Sequence, residues 1–142
     1  MKEFISNSEE RTEQIASELA AKLSPGAVVA LHGNLGCGKT VFARGFARAL
    51  GVTDYVTSPT FTIVQEYPIT ETRHLYHLDL YRIGNEDDAI AFGIDEYLLD
   101  PEAFCLLEWP TRIQELWPDT IVEVFFEHID EERRSIKIKV GE

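Results

Sequence analysis

An α/β fold is what the sequence predicts, and three observations predict it. The short apolar run Ala27-Val28-Val29-Ala30-Leu31 has the pattern of a strand buried on both faces of a parallel sheet. A glycine-rich turn follows it, and from Lys39 to Leu50 the apolar positions Val41, Phe42, Phe46, Ala49 and Leu50 recur at helical spacing, so the unit reads strand, loop, helix. A second buried-strand run, Phe104-Cys105-Leu106-Leu107, comes later in the chain. With 142 residues, 44% of them hydrophobic, a single domain over residues 1–142 with a real core is expected.

In chain order, Ser6-Asn7-Ser8-Glu9 fits a capping box, and Ile15, Leu19 and Leu23, backed by Ala16 and Ala20, give a helix with one buried stripe that Ser24-Pro25-Gly26 stops. The helix from Lys39 ends at Gly51, where a C-cap glycine belongs. Tyr55-Val56-Thr57 is a possible strand. Phe61 to Tyr67 and His74 to Tyr81 read as an antiparallel pair around the turn-rich Pro68-Ile69-Thr70-Glu71. Asn85 to Glu102 is acidic and turn-broken, with short helical pieces. Thr111 to Trp117 can form about two helical turns before Pro118. Ile121 to Phe126 and Ile136 to Val140, joined by Asp130-Glu131-Glu132-Arg133-Arg134, alternate like a hairpin with one wet face.

Charge and composition exclude some functions. The 25 Asp and Glu against 13 Lys and Arg give a net charge of -12, which repels phosphate backbones and argues against a direct grip on nucleic acid. The excess is not uniform: residues 1–60 carry 6 basic and 6 acidic side chains, residues 61–142 carry 7 and 19. No run approaches the roughly 18 apolar residues of a membrane span, and the start lacks the apolar core of a signal peptide, so a cytoplasmic protein is expected. Cys37 and Cys105 make no disulfide framework and read as free thiols.

The chemistry centres on Gly33-Asn34-Leu35-Gly36-Cys37-Gly38-Lys39-Thr40, a full match to the phosphate-binding pattern G-x-x-x-x-G-K-[ST]. Its glycines let successive backbone N–H groups turn inward around phosphates. Lys39 reaches the terminal phosphates, and the Thr40 hydroxyl can ligate magnesium at the positive end of a helix dipole. Chance gives such a match in on the order of one chain in two hundred of this length, and the flanking strand and helix make chance a poor account.

A magnesium nucleotide site also wants a carboxylate at the end of a hydrophobic strand beside the loop. Glu108, closing the run Phe104–Leu107, fits that position best. Asp79 lies in the more polar strand His74–Tyr81, where a period of two turns His77, Asp79 and Tyr81 to one face. Asp79 reads either as an orienter or activator of an attacking water or as a turn residue or partner of Arg82. The polar face of His77, Asp79 and Tyr81 could look into a site, although His77 alone is more often a satisfied structural histidine, and His32, His74 and His128 read as structural outright. Ser58-Pro59-Thr60-Phe61 places a hydroxyl-rich, proline-stiffened turn where switch loops sit, a pattern that a plain Ser-Pro turn also explains. Trp109 reads equally as a core aromatic or a ligand contact.

The order of these pieces, Gly33–Thr40, then Ser58–Phe61, then His77-Leu78-Asp79-Leu80-Tyr81-Arg82, then Glu108-Trp109-Pro110, resembles the TsaE (YjeE) family, the small ATPases of bacterial tRNA threonylcarbamoyladenosine biosynthesis, over essentially the whole chain. The resemblance implies a P-loop NTPase-like mixed sheet with a parallel core, flanking antiparallel strands and helices on both faces. It implies binding of ATP and ADP with magnesium and hydrolysis of ATP, with Lys39 on the phosphates, Thr40 and Glu108 on magnesium, and Asp79 in catalysis. Gly33, Leu35, Gly36, Cys37 and Gly38 would line the phosphates, Thr60 would belong to a switch-like loop, and Trp109 would sit by the nucleotide. Thr12 and Arg133 would contribute to the adenine pocket. The implied partners are TsaD and TsaB, which hold the transfer site and reach tRNA, while this chain resets the complex between turnovers and hydrolyses slowly alone.

Two residues depart from the family's habit: Asn34 stands where an acidic residue is usual, and Cys37 where a small residue such as Ala is usual. A thiol at Cys37, beside a helix N-terminus and Lys39, is expected to have a lowered pKa, and its alkylation to block nucleotide binding. Two other readings of the same loop are a small P-loop kinase and a non-hydrolysing nucleotide-dependent interaction module. Eight scattered arginines and no insertion long enough for a lid argue against the kinase. A GTPase would need an Asn-Lys-x-Asp segment, which the sequence lacks.

Overall fold

A computed structural model describes residues 1–34, 38–54, 56 and 63–141. Leu35, Gly36, Cys37, Tyr55, Thr60 and the rest of the Ser58–Phe61 turn lie outside the described residues, as does most of the possible strand at 55–57.

The described strands form one sheet in the order β1 (Lys2–Ser6), β7 (Arg134–Val140), β6 (Val122–His128), β2 (Val28–His32), β5 (Ala103–Glu108), β4 (His74–Asp79), β3 (Val64–Pro68). Strands β6, β2, β5 and β4 run parallel, and the outer pairs β1–β7, β7–β6 and β4–β3 are antiparallel. A parallel core flanked by antiparallel strands is therefore what forms. All six residues of β5 are buried, as an apolar strand between two layers requires. Pro68, which cannot donate to a ladder, closes the edge strand β3.

Helices α1 (Glu9–Lys22) and α2 (Lys39–Leu50) cover one face, packing Ile15, Leu19, Phe42 and Phe46 onto Val29, Leu31, Leu75 and Leu106. Each such aromatic or aliphatic side chain, fully buried, contributes about 1.5–3 kcal/mol. Helices α3 (Glu86–Ala91) and α4 (Ile94–Leu98), with the 3-10 segment Pro110–Leu116, cover the other face over Ala30, Leu78, Cys105 and Leu107. Gly51 ends α2 in a left-handed conformation at φ 100°, and its N–H bonds back to the helix carbonyls, as a C-cap glycine does.

One expectation is corrected and one element is added. Helix α1 is capped by Ser8, whose side chain accepts from Arg11 N, rather than by Ser6. Ser6 is already used: it ends β1, and its buried hydroxyl lies 2.7 Å from that of Thr12. Strand β1 itself goes unread in the sequence because Lys2-Glu3-Phe4-Ile5-Ser6 is short and half polar. Its partner β7 lies at the far end of the chain, Lys2 opposite Ile138.

Candidate nucleotide and metal site

The carboxyl ends of β2, β5 and β4 meet the amino end of α2, the crevice where open parallel sheets bind ligands. Gly38, at φ 101°, caps α2 in a backbone conformation that glycine adopts without strain, so the chain turns directly from loop to helix. Lys39 and Thr40 open that helix, and Lys39 is buried although charged. Its Nζ donates to the Gly33 carbonyl at 2.8 Å, lies 3.8 Å from Glu108 Oε1 and sits 5.6 Å from the Trp109 ring centroid. The cation is thus held at the mouth of the loop by a carbonyl, a carboxylate and an aromatic face.

Asp79 and Glu108 end adjacent parallel strands and are opposed in register. Their surroundings push them apart. Burial raises the Glu108 carboxyl, but the neighbouring His77 and the charge on Lys39 outweigh it and hold it below the usual range. For Asp79, burial raises the carboxyl against the stabilising N–H of Tyr81, 3.0 Å from Oδ1, and the Glu108 charge adds to the rise. One carboxylate is kept ionised, and the other is moved toward accepting a proton. Neighbouring groups with diverging environments are the usual mark of divided acid–base roles.

Trp109 is the only non-glycine with positive φ among the described residues, at φ 59°. A left-handed tryptophan is strained, and such residues cluster at working sites. The strain is set against Lys39 under its ring and against Tyr81, 5.0 Å away ring to ring, with Arg112 about equidistant from both rings.

The structure thus brings Gly33, Gly38, Lys39, Asp79, Glu108 and Trp109 together, with Thr40 beside them on the first turn of α2. Leu35, Gly36, Cys37 and Thr60 lie outside the described residues. Thr12 and Arg133, expected at an adenine pocket rather than at the phosphates, are not among these groups. Thr12 is fully buried with its hydroxyl on Ser6, and Arg133 bonds Asp130 in the β6–β7 turn. No described contact brings either to the loop. The neighbouring Arg134 is the hairpin arginine that does approach it: a Cβ on Gly38 would meet Arg134 Nη1 at 3.3 Å. Sequence reasoning also missed His77, whose Nε2 lies 2.7 Å from Glu108 Oε2. The shared face of His77 and Asp79 was the one available signal.

The family profile for "Threonylcarbamoyl adenosine biosynthesis protein TsaE" matches residues 6–136. The tRNA threonylcarbamoyladenosine biosynthesis protein TsaE of Bacillus subtilis is 42% identical over 127 residues, covering 89% of this chain and 78% of that protein. Its namesake from Aquifex aeolicus is 39% identical over 140 residues, covering 97% and 96%. Among solved structures, the crystal structure of Bacillus subtilis YdiB superposes with a TM-score of 0.83 at 34% identity, covering 99% of this chain and 86% of that one.

Proposed function

The chain belongs to the TsaE family, and from that premise we propose that it is a magnesium-dependent ATPase serving the biosynthesis of threonylcarbamoyladenosine in tRNA. The pathway is the one that names the family and the TsaE relatives above. Hydrolysis rests on one observation: Lys39, Asp79 and Glu108 converge where the amino end of α2 meets the carboxyl ends of β4 and β5.

Hard oxygen donors, the Thr40 hydroxyl and the Glu108 carboxylate, suit magnesium. That ion takes one or two carboxylates and completes its shell with phosphate oxygens and water rather than a protein cage. Among the described residues no cage of three or more His, Cys, Asp or Glu is gathered. Magnesium held there would neutralise charge on the terminal phosphates. Lys39 binds those phosphates from the loop side, and α2 directs its dipole at them. Asp79, the carboxylate moved toward proton acceptance, orients the attacking water and takes its proton. Trp109 screens the phosphate end from solvent. The partners TsaD and TsaB hold the transfer site and contact tRNA, and ATP binding and hydrolysis by this chain reset the complex between turnovers.

ATP labelled on its terminal phosphate tests this reading. Label should appear as free phosphate, slowly with the chain alone and faster with TsaD and TsaB. Lys39→Ala and Glu108→Ala should each slow release by on the order of 100-fold, the scale of losing one preorganised charge-stabilising group. Label on a second substrate would indicate a kinase, and tight binding without release an interaction module. Parental hydrolysis in Lys39→Ala would overturn the site. Threonylcarbamoyl formation on tRNA by the partners, with and without this chain over many turnovers, tests the pathway role. A yield that stays the same without the chain would leave only the ATPase.

A further inference from the structure

Glu108 is held from two sides, and the function above uses only one of them. On the open side, Oε1 faces Lys39 Nζ at 3.8 Å. On the closed side, Oε2 lies 2.7 Å from Nε2 of His77, a ring that is wholly buried. At that distance a hydrogen must lie between the two atoms, since two lone pairs would repel. The angles are not those of an aligned hydrogen bond, and the other ring nitrogen has no partner among the described residues. A buried imidazole so poorly served by hydrogen bonds carries a desolvation cost that apolar packing alone would not retain. The sheet explains how it gets there. His77 and Asp79 lie on the same face of β4, and the parallel register sets His77 beside Leu106, two residues before Glu108 on β5.

We propose that His77 is a positioning residue that anchors one oxygen of the Glu108 carboxylate so that the other stays turned toward Lys39 and the phosphate loop. Lys39 cannot be the anchor during turnover, because it is the group that engages phosphate. His77, fixed within β4, keeps the carboxylate in place whatever Lys39 does. The inference rests on the reading of Glu108 as the magnesium-binding carboxylate.

The test is the gain in ADP affinity on adding magnesium, measured by calorimetry with and without the metal, which reads the carboxylate without requiring turnover. In His77→Leu this gain should fall about 10-fold or more, the usual effect of removing a group that orients a metal ligand, while metal-free ADP affinity stays at the parental value. His77→Gln, whose amide can stand in for Nε2–H, should recover part of the gain, and kcat for ATP should drop more than KM changes. Glu108→Gln separates the two ideas. If it keeps the full gain, the reading of Glu108 is wrong and the inference goes with it. If it loses the gain while His77→Leu keeps it, only the inference is overturned. Should His77→Leu not fold, nitrogen NMR of the parent with labelled histidine decides: the Nε2 resonance of His77 should shift when magnesium is added to the ADP complex, and an unmoved resonance overturns the proposal.

Discussion

Burial changes the chemistry of two side chains outside the proposed phosphate site. The Cys105 thiol, in β5 with its Sγ donating to the Tyr97 carbonyl, is pushed up to about 12 by desolvation and then by the Asp100 charge. A thiol held protonated does not alkylate, because the thiolate is the nucleophile. Native Cys37→Ser protein should therefore take up no iodoacetamide, and about one equivalent once unfolded; native labelling would contradict the burial. The parent then reports on Cys37 alone, so loss of ADP affinity after alkylation is assignable to the loop. His32, at the end of β2, stacks on Phe125 and lies 3.1 Å from Glu123. Desolvation lowers its pKa despite the raising effect of Glu123, with Lys39 adding to the lowering. Below the ordinary imidazole value the unfolded chain then binds more protons than the folded one, so stability is complete above that value and is lost as pH falls through it. The unfolding midpoint should drop between about pH 8 and about pH 5.5, and His32→Gln should drop less steeply. Equal slopes would show that His32 titrates alike in both states.

Elements legible in the sequence are those whose signal is local. The helix that begins at Lys39 and ends at Gly51 and the β6–β7 hairpin each carry their own punctuation. Elements and contacts that depend on a distant partner were not legible. Strand β1 exists because β7 offers it an edge, and the pairing of His77 with Glu108 exists because β4 lies parallel beside β5. Nor does the sequence show that Arg134, and not Arg133, is the arginine against Gly38, because both flank the same turn. The contact of α1 with α2 is similarly hidden. A Cβ on Gly45 would come within 2.6 Å of both the Cα and the carbonyl oxygen of Glu13, so the two helices touch backbone to backbone there. Gly45→Ala should gain about 1 kcal/mol in helix propensity and lose more by forcing the helices apart. Net destabilisation of about 1–3 kcal/mol is expected in urea unfolding. A stabilised variant would mean that the helices yield freely. Because α2 carries Lys39 and Thr40, ADP affinity should weaken as well.

At the scale of the whole molecule, the charge distribution constrains what this chain can touch. The sequence match to the phosphate-binding pattern, residues 33–40, lies in the balanced first 60 residues, whereas the later 82 carry almost three acids per base. Among the described residues no helix is long and apolar enough to cross a membrane. A phosphate backbone approaching most of this surface meets like charge, and binding that depends on releasing counterions needs cations in a row. On the proposed function a nucleotide would enter where α2 and Lys39 face it, and the carboxylates of Asp79 and Glu108 would require magnesium to tolerate it. The chain alone should therefore not retain tRNA in filter binding at about 50 mM salt, where even non-specific affinities of basic proteins are far tighter than their roughly 10⁻⁴–10⁻⁶ M at physiological salt. Retention should appear only when TsaD and TsaB are present. Saturable binding by the chain alone, weakening steeply as salt rises, would reveal a cationic track that the charge count does not contain and would make tRNA a direct ligand. If binding is absent, the -12 charge is itself part of how the molecule works: it disfavours phosphate contact over most of the surface and leaves the crevice at the amino end of α2, the proposed hydrolysis site, to admit it.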